Sequence, residues 1–528
     1  MHSDTRAHYS PCLSYASSRW PTIFRWYSRV HRWWRTETYA LPLDCFRVLV
    51  GALCMAYFLR LLLEVRDISS PDGLLDHAFQ AHIFWFTRLS LFQPGLGTAF
   101  FYGIYTVGCL GAWGLVLGYR VKLCAAVLFV IAVSHYRWNF LVFSVDDSLI
   151  HLFLFWLLLL PVGHTLCLKD WLRQRTHCLA RWSQVTVPGG ALRCFLGNIC
   201  LVYLVSGLWK LESPLWRQGF ALYATLRLPI AYAPDFWQPE HLPFLRVGTY
   251  VVFILEPLLP LLLLQRPGHP LKWCGLLGQL GFHLGIIVTL RVPYANLGLL
   301  ASAVLFFREE LMRALLQRQQ CTVVLRQTSS LDRLGRIALV FLLVLTLAML
   351  RRLPGIGVVH MPAYALLWVA GIAQDYQLFN WIDRKNYHVA HVVTAHMPGQ
   401  PPQSLDATML FPRSLRSTLL QTYLRDVRWM PLPPQHRPAL KRILLQRFAQ
   451  RFCARYPTTA RVNAGAVVQR ILPDNSALTQ GKKQFWMEFR CVDGHAILCR
   501  TLLQPRARPD ASCMENSTSS HLEPLNHR

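Results

Sequence analysis

Beyond a polar leader, long apolar stretches alternate with short polar connectors through the first two thirds of the chain. A helix needs about 18 mostly uncharged residues to cross a bilayer. A window of that kind marks about nine spans, at 46–63, 98–117, 122–135, 148–162, 195–209, 247–264, 271–290, 294–307 and 335–350. The third and eighth are short, which suits a tilted or re-entrant segment. The connectors alternate in charge. One set is basic, with Arg120 and Lys122, then Lys169 to Arg193, Arg266, and Arg308 to Arg333; the other is acidic, with Glu64 to Asp76, Asp146 and Asp147, and Glu212 to Glu240. By the positive-inside rule the basic set faces the cytoplasm, which also places the N-terminus there. Lys210 and the Asp146/Asp147 pair then share the outer side.

The periodicity changes after residue 352. Residues 358–373 are apolar but carry His360 and Pro362, so the segment is expected to dock on the surface rather than span. The stretch 388–395 reads as a strand. Leu440, Ile443, Leu444, Phe448 and Phe452 form one helix face. Residues 484–492 alternate, and Asp493-Gly494 is a hairpin turn leading to a return strand over 496–502. That register sets Cys491 opposite Ala496 and argues against a Cys491–Cys499 disulfide. The residues from 74 to 91 mix histidine with aromatics and read as an interfacial amphipathic helix. An odd number of spans puts the C-terminal domain outside.

The expected fold is therefore an all-α polytopic membrane bundle of about nine transmembrane helices, followed by a small water-exposed α+β domain. The boundaries are a basic Arg/Trp-rich leader over 1–40, a membrane domain over 41–350, the outer domain over 351–503 and a disordered tail over 504–528. The leader is too long for a standard signal peptide, so the first span is expected to be retained. Composition agrees: 53 % of the 528 residues are hydrophobic, 15 % are charged, and the mean hydropathy is +0.29. The net charge of +27 raises nucleic acid as a partner. The basic residues sit in cytoplasmic connectors and tails, so membrane lipid is the expected partner and nucleic acid is not. The fifteen cysteines show no metal-ligand spacing, and their odd number leaves at least one thiol free or paired between chains.

Polar groups in or beside hydrocarbon are functional candidates. Lys210 ends an apolar helix between Trp209 and Trp216. An amine held where water is scarce loses its preference for the ammonium form and can act as a base, whereas a helix-end lysine can simply snorkel to the interface. Asp146 and Asp147 can divide acid and base roles, or cap the helix that follows. Glu256 lies inside an apolar run before Pro257. Gln279 and His283 share a helix face, from which they could partner Glu256 in a catalytic or a purely structural contact. His388, His391 and His396 suggest a metal, but a strand turns 388 and 391 to opposite faces, and no metal site is expected.

Around these residues the chain resembles the vitamin K-dependent gamma-carboxylase family, whose membrane part is called the HTTM domain. The resemblance is carried by Val202 to Gly219 (VYLVSGLWKLESPLWRQG), Gly281 to Leu300 (GFHLGIIVTLRVPYANLGLL) and Gln374 to Phe379 (QDYQLF). It covers about residues 41–381. It implies oxidation of a quinol, reduced vitamin K or another, by O2, coupled to carboxylation of glutamyl residues of a protein or peptide substrate at the outer face. The family's catalytic lysine falls on Lys210. A functional histidine of the animal enzymes falls on Asp147, an acceptor in place of a donor, which leaves Asp147 as an orienting or proton-relay candidate. Asp146, Glu256 and His283 stand behind them as supporting candidates. The rival expectation is a non-catalytic membrane scaffold or lipid-binding protein whose outer domain recruits a partner. A transporter finds no inverted repeat in the sequence.

Overall fold

The computed structural model describes residues 32–501 apart from 174–180, 319–322, 327–331, 350–356, 374–377, 380–381, 397–399, 427, 429, 458–460, 473–474 and 479–480. Most of the leader, the tail from 504 and the first four residues of the Gln374–Phe379 motif therefore lie outside the described residues. The helices are α1 (Ala40–Glu64), α2 (Thr98–Leu117), α3 (Val121–Trp138), α4 (Val145–Leu159), α5 (Gly190–Lys210), α6 (Leu242–Leu263), α7 (Pro270–Thr289), α8 (Pro293–Ala301), α9 (Arg333–Met349), α10 (Gly357–Val369), α11 (Leu415–Arg425) and α12 (Arg437–Arg455), beside several shorter turns. Six are long and apolar enough to cross a membrane: α1 with its π-helical extension, α2, α3, α5, α6 with its leading turn, and α7. Helices also stand at the other three expected positions. There α4 has 15 residues and α8 has 9, short of a full crossing, and α9 has 17 among the described residues.

The outer faces of the long helices carry leucine and valine side chains that a water-soluble protein would bury. Leu63 is 79 % exposed, Val288 69 % and Leu277 68 %. Apolar exposure on this scale marks a surface that faces lipid. Within the bundle, a buried arginine and a half-buried lysine close helix ends on one side. Arg47 pairs with Asp44 at 2.8 Å and donates to the carbonyls of Leu115, Val116, Thr165 and Leu166. Lys122 donates to the carbonyls of Leu157, Leu158 and Leu160. Carbonyls at a helix C-terminus have no partner within the helix, and these side chains supply one. Arg47 is spent on Asp44 and backbone, and Lys122 on backbone.

The C-terminal domain is an antiparallel sheet in the order β4-β3-β5-β7-β8, from Gln403–Leu405, Tyr387–His396, Arg461–Leu472, Lys482–Val492 and His495–Thr501; β6 (Asn475–Leu478) extends β5. Strands β1 (Glu37–Tyr39) and β2 (Thr186–Pro188) pair separately. The β7–β8 hairpin turns at Asp493 and Gly494, both with positive φ, and sets Cys491 opposite Ala496 as expected. Cys491 is disulfide-bonded to Cys453 of α12, not to Cys499. α12 buries Leu440, Leu444, Phe448 and Phe452 against the sheet.

The C-terminal domain does not stand apart from the bundle. Its core is continuous with Ile68, Leu74, Leu75, Leu141 and Val142 from the connectors after α1 and α3. For that reason the 74–91 stretch is not one interfacial helix. It breaks into Asp76-capped His77–Ile83 and a 3-10 turn at Trp85–Arg88, and Phe79, Ile83 and Phe84 pack on the C-terminal domain. α10, with Pro362 inside it, docks on the bundle. Leu367 and Ile372 enter the bundle core, and the Trp368 ring lies 4.6 Å from Phe86.

Candidate functional site

Helix α5 presents Tyr203, Ser206 and Lys210 along one face, because positions three and four apart fall in line. α6 brings Glu256 to the same place. Lys210 Nζ lies 2.5 Å from Glu256 Oε2, with the two side chains only 2 % and 3 % exposed. The separation makes this an ion pair, although Oε2 accepts no well-aligned hydrogen bond. Lys210 Nζ also donates to Ser206 Oγ at 3.0 Å.

The local sequence explains why the helices meet here. A Cβ added to Gly207 would fall 2.7 Å from Pro257 Cδ and 2.9 Å from its backbone nitrogen, so only glycine permits this approach. Beyond α5, Ser213 caps a turn that starts at Pro214 and accepts the Trp216 amide at 3.3 Å. That turn sets the Trp216 ring 5.1 Å from Lys210 Nζ. The pair is thus enclosed by two helices and an indole.

Gln279 and His283 do not partner Glu256. Tyr203 OH donates to His283 Nε2 at 2.7 Å, His283 Nδ1 donates to Asn296 Oδ1 at 2.7 Å, and Gln279 Nε2 donates to Tyr203 OH at 3.0 Å. These directions are fixed by Asn296 Nδ2, which donates to Val292 O at 2.6 Å and leaves Oδ1 as the acceptor. The charged groups satisfy each other and the neutral groups form their own chain, which is the arrangement that leaves no charge unpaired in hydrocarbon.

Asp146 and Asp147 lie in a second cluster. Asp147 Oδ2 closes a capping box with Ser144, at 2.9 Å to its amide and 2.8 Å to its hydroxyl. Asp147 Oδ1 accepts from Tyr57 OH at 2.5 Å and from Arg416 Nη2 at 2.9 Å. Arg416, on α11 of the C-terminal domain, also bonds Glu64 Oε2 at 2.6 Å. Burial opposes the charge of Arg416, but Asp147 and Glu64 outweigh it and raise its pKa above the ordinary arginine value. Asp146 Oδ1 accepts the amide of Ala295 at 2.7 Å and so caps α8, the helix that carries Asn296.

Among the described residues no hydrogen bond or ion pair joins Lys210 or Glu256 to Asp147. Arg416, Glu64, Tyr57, Tyr203 and Asn296 were not singled out from sequence. Arg416 gives no local signal, since it is an ordinary arginine on an amphipathic helix, 269 residues from Asp147. Histidines 388 and 391 do point apart. His388 Nε2 lies 3.2 Å from Asp235, and the His391 ring packs on Phe411 and Trp486. Comparison with known proteins returns no match, whether to a family model, a curated protein or a solved structure.

Proposed function

We propose that this is a membrane enzyme whose Lys210–Glu256 pair deprotonates a lipophilic quinol near the outer face, in the manner of the vitamin K-dependent carboxylases. The buried 2.5 Å ion pair is the observation that carries this reading. The residues suit such a group. Glu256 Oε2 has no aligned donor, Trp216 offers an aromatic wall, and Leu208, Ile254 and Leu258 on the same two helices are exposed toward lipid. A quinol supplies an ionisable O–H and, once ionised, electrons for O2. Glu256 Oε2 is positioned to take the proton while the Lys210 ammonium stabilises the oxyanion left behind. Trp216 keeps water from the ammonium. Glutamyl carboxylation or a related reaction follows at the outer face. His283 fixes Tyr203 on α5, and Asp147 holds the outer domain over the bundle.

In this reading the three short helices also cross, giving nine spans with the N-terminus in the cytoplasm and the α+β domain outside. Cysteine chemistry supports the placement. The eight described free cysteines belong to the bundle and its connectors, whereas Cys453 and Cys491 are joined in the outer domain. With Cys274 replaced by serine, E240C should react with a membrane-impermeant maleimide in intact cells, and R318C only after permeabilisation. The reverse pattern would invert the topology.

Epoxide formation from reduced vitamin K by the purified protein in lipid bilayers tests the chemistry. The parent should form epoxide, and a folded Lys210→Ala variant should lose at least about 100-fold in rate. The full engagement of Asp147 by Arg416 favours the rival reading of a scaffold or lipid-binding protein. Equal rates in parent and variant, or none in either, would favour that reading.

A further inference from the structure

A polar cleft lies at the membrane edge, away from the Lys210 pair. Residues 230–232 run beside the end of α7. Arg291 donates its amide to Ile230 O at 3.0 Å, Tyr232 donates to Thr289 O at 3.0 Å, and Ala231 faces Leu290. This anchors Arg291 just beyond the lipid-facing Val288, at the level of lipid headgroups. Across a cleft of about 430 Å³ the outer domain contributes His391, Phe411, Arg413 and Gln421. Tyr232 and Phe236 on its rim are exposed aromatics of the kind that favour the membrane–water interface.

The charges in this cleft are not balanced. Arg291 donates one N–H to Pro229 O at 2.9 Å and lies over the Tyr232 ring, with no carboxylate partner. Arg413 is exposed and makes no hydrogen bond or ion pair among the described residues, and the exposed Asp406 carboxylate lies close enough to feel its charge. Asp235, the one carboxylate among the described lining residues, is directed to His388. His391 Nε2 is buried without a partner; burial, then Arg413 and Arg425, push its pKa down to about 4, so the ring is uncharged at neutral pH. Two guanidinium groups facing one cleft repel unless an anion lies between them.

We propose that this cleft binds a phosphate group held between Arg291 and Arg413, carried by a lipid headgroup or by a soluble phosphate ester. Guanidinium groups match phosphate with paired N–H donors, whereas the Thr408 hydroxyl and the Gln421 amide at the cleft are already spent on Asp406 and on Pro412 O and Ser417 Oγ. The site is independent of quinol chemistry, so its test stands whether or not the Lys210–Glu256 pair moves a proton.

The test is native mass spectrometry of the detergent-solubilised full-length protein titrated with phosphatidylglycerol, diacylglycerol and glycerol 3-phosphate. Phosphatidylglycerol should bind and diacylglycerol should not. Arg413→Glu, at an exposed position that tolerates substitution, should weaken phosphatidylglycerol binding at least about tenfold, and R291Q/R413Q further. Glycerol 3-phosphate that fails to displace the lipid identifies a lipid headgroup as the source; equal binding and full displacement identify a soluble ester. Phosphatidylglycerol binding unchanged in both variants, or matched by diacylglycerol, would overturn the proposal.

Discussion

Replacing Arg416 with methionine is expected to destabilise the protein by about 3–5 kcal/mol. The guanidinium is the shared partner of Asp147 and Glu64, and all three side chains are at least nine-tenths buried. Removing it leaves two carboxylates side by side with only Tyr57, the Ser144 cap and the half-exposed Arg60 to compensate. Paired charges shielded from water cost little. An orphaned one costs several kcal/mol, because its solvation is not restored. Thermal unfolding followed by tryptophan fluorescence should show the loss, with the outer domain becoming protease-sensitive first. Arg416→Lys should fall between, since one ammonium cannot bridge two carboxylates as the fork does. The triple variant R416M/E64Q/D147N should recover much of the loss. An R416M variant as stable as the parent would mean that the outer domain is held by its apolar contacts alone.

The second large effect concerns Lys210 and Glu256. Lys210→Met leaves a buried carboxylate, and Glu256→Gln leaves a buried ammonium. Each should cost about 3–5 kcal/mol of stability. K210M/E256Q removes both charges and should be closer to the parent than either single variant. A double-mutant cycle on unfolding midpoints reads this coupling directly. Activity should behave differently. If the pair moves the proton, all three variants should lose quinol oxidation by about 10²–10⁴, and the double variant should not recover it. Stability rescued without activity separates a chemical role from a merely structural one.

The bundle was legible in the sequence because hydrocarbon imposes a simple rule on each span, and all nine apolar windows coincide with helices. Their lengths were less legible. α4 stops at Leu159 because Pro161 follows closely, and α8 is divided from its continuation near Ser302. In the outer domain the hairpin was readable from Asp493-Gly494. The central strand β5 was not, since Ala464, Gly465 and Ala466 lack the branched and aromatic side chains that signal a strand. Lys210, Glu256, Gln279 and His283 stood out as polar residues in apolar surroundings, but their pairing was misassigned. Sequence spacing on one helix suggested that Gln279 and His283 serve Glu256, whereas the geometry gives Glu256 to Lys210 and His283 to Tyr203. Pairing between helices depends on their rotation about their axes, which hydropathy alone does not fix. Arg416 was invisible for the same reason, since only the folded outer domain brings it to Asp147.

The measurement that tests the account most directly is the rate of epoxide formation from reduced vitamin K by K210M/E256Q in lipid bilayers, compared with the parent at matched folded fraction. The account predicts a parent that forms epoxide and a stable double variant that forms essentially none. A double variant that oxidises the quinol as fast as the parent would contradict it, and would leave the Lys210–Glu256 pair as a structural tie between two membrane helices.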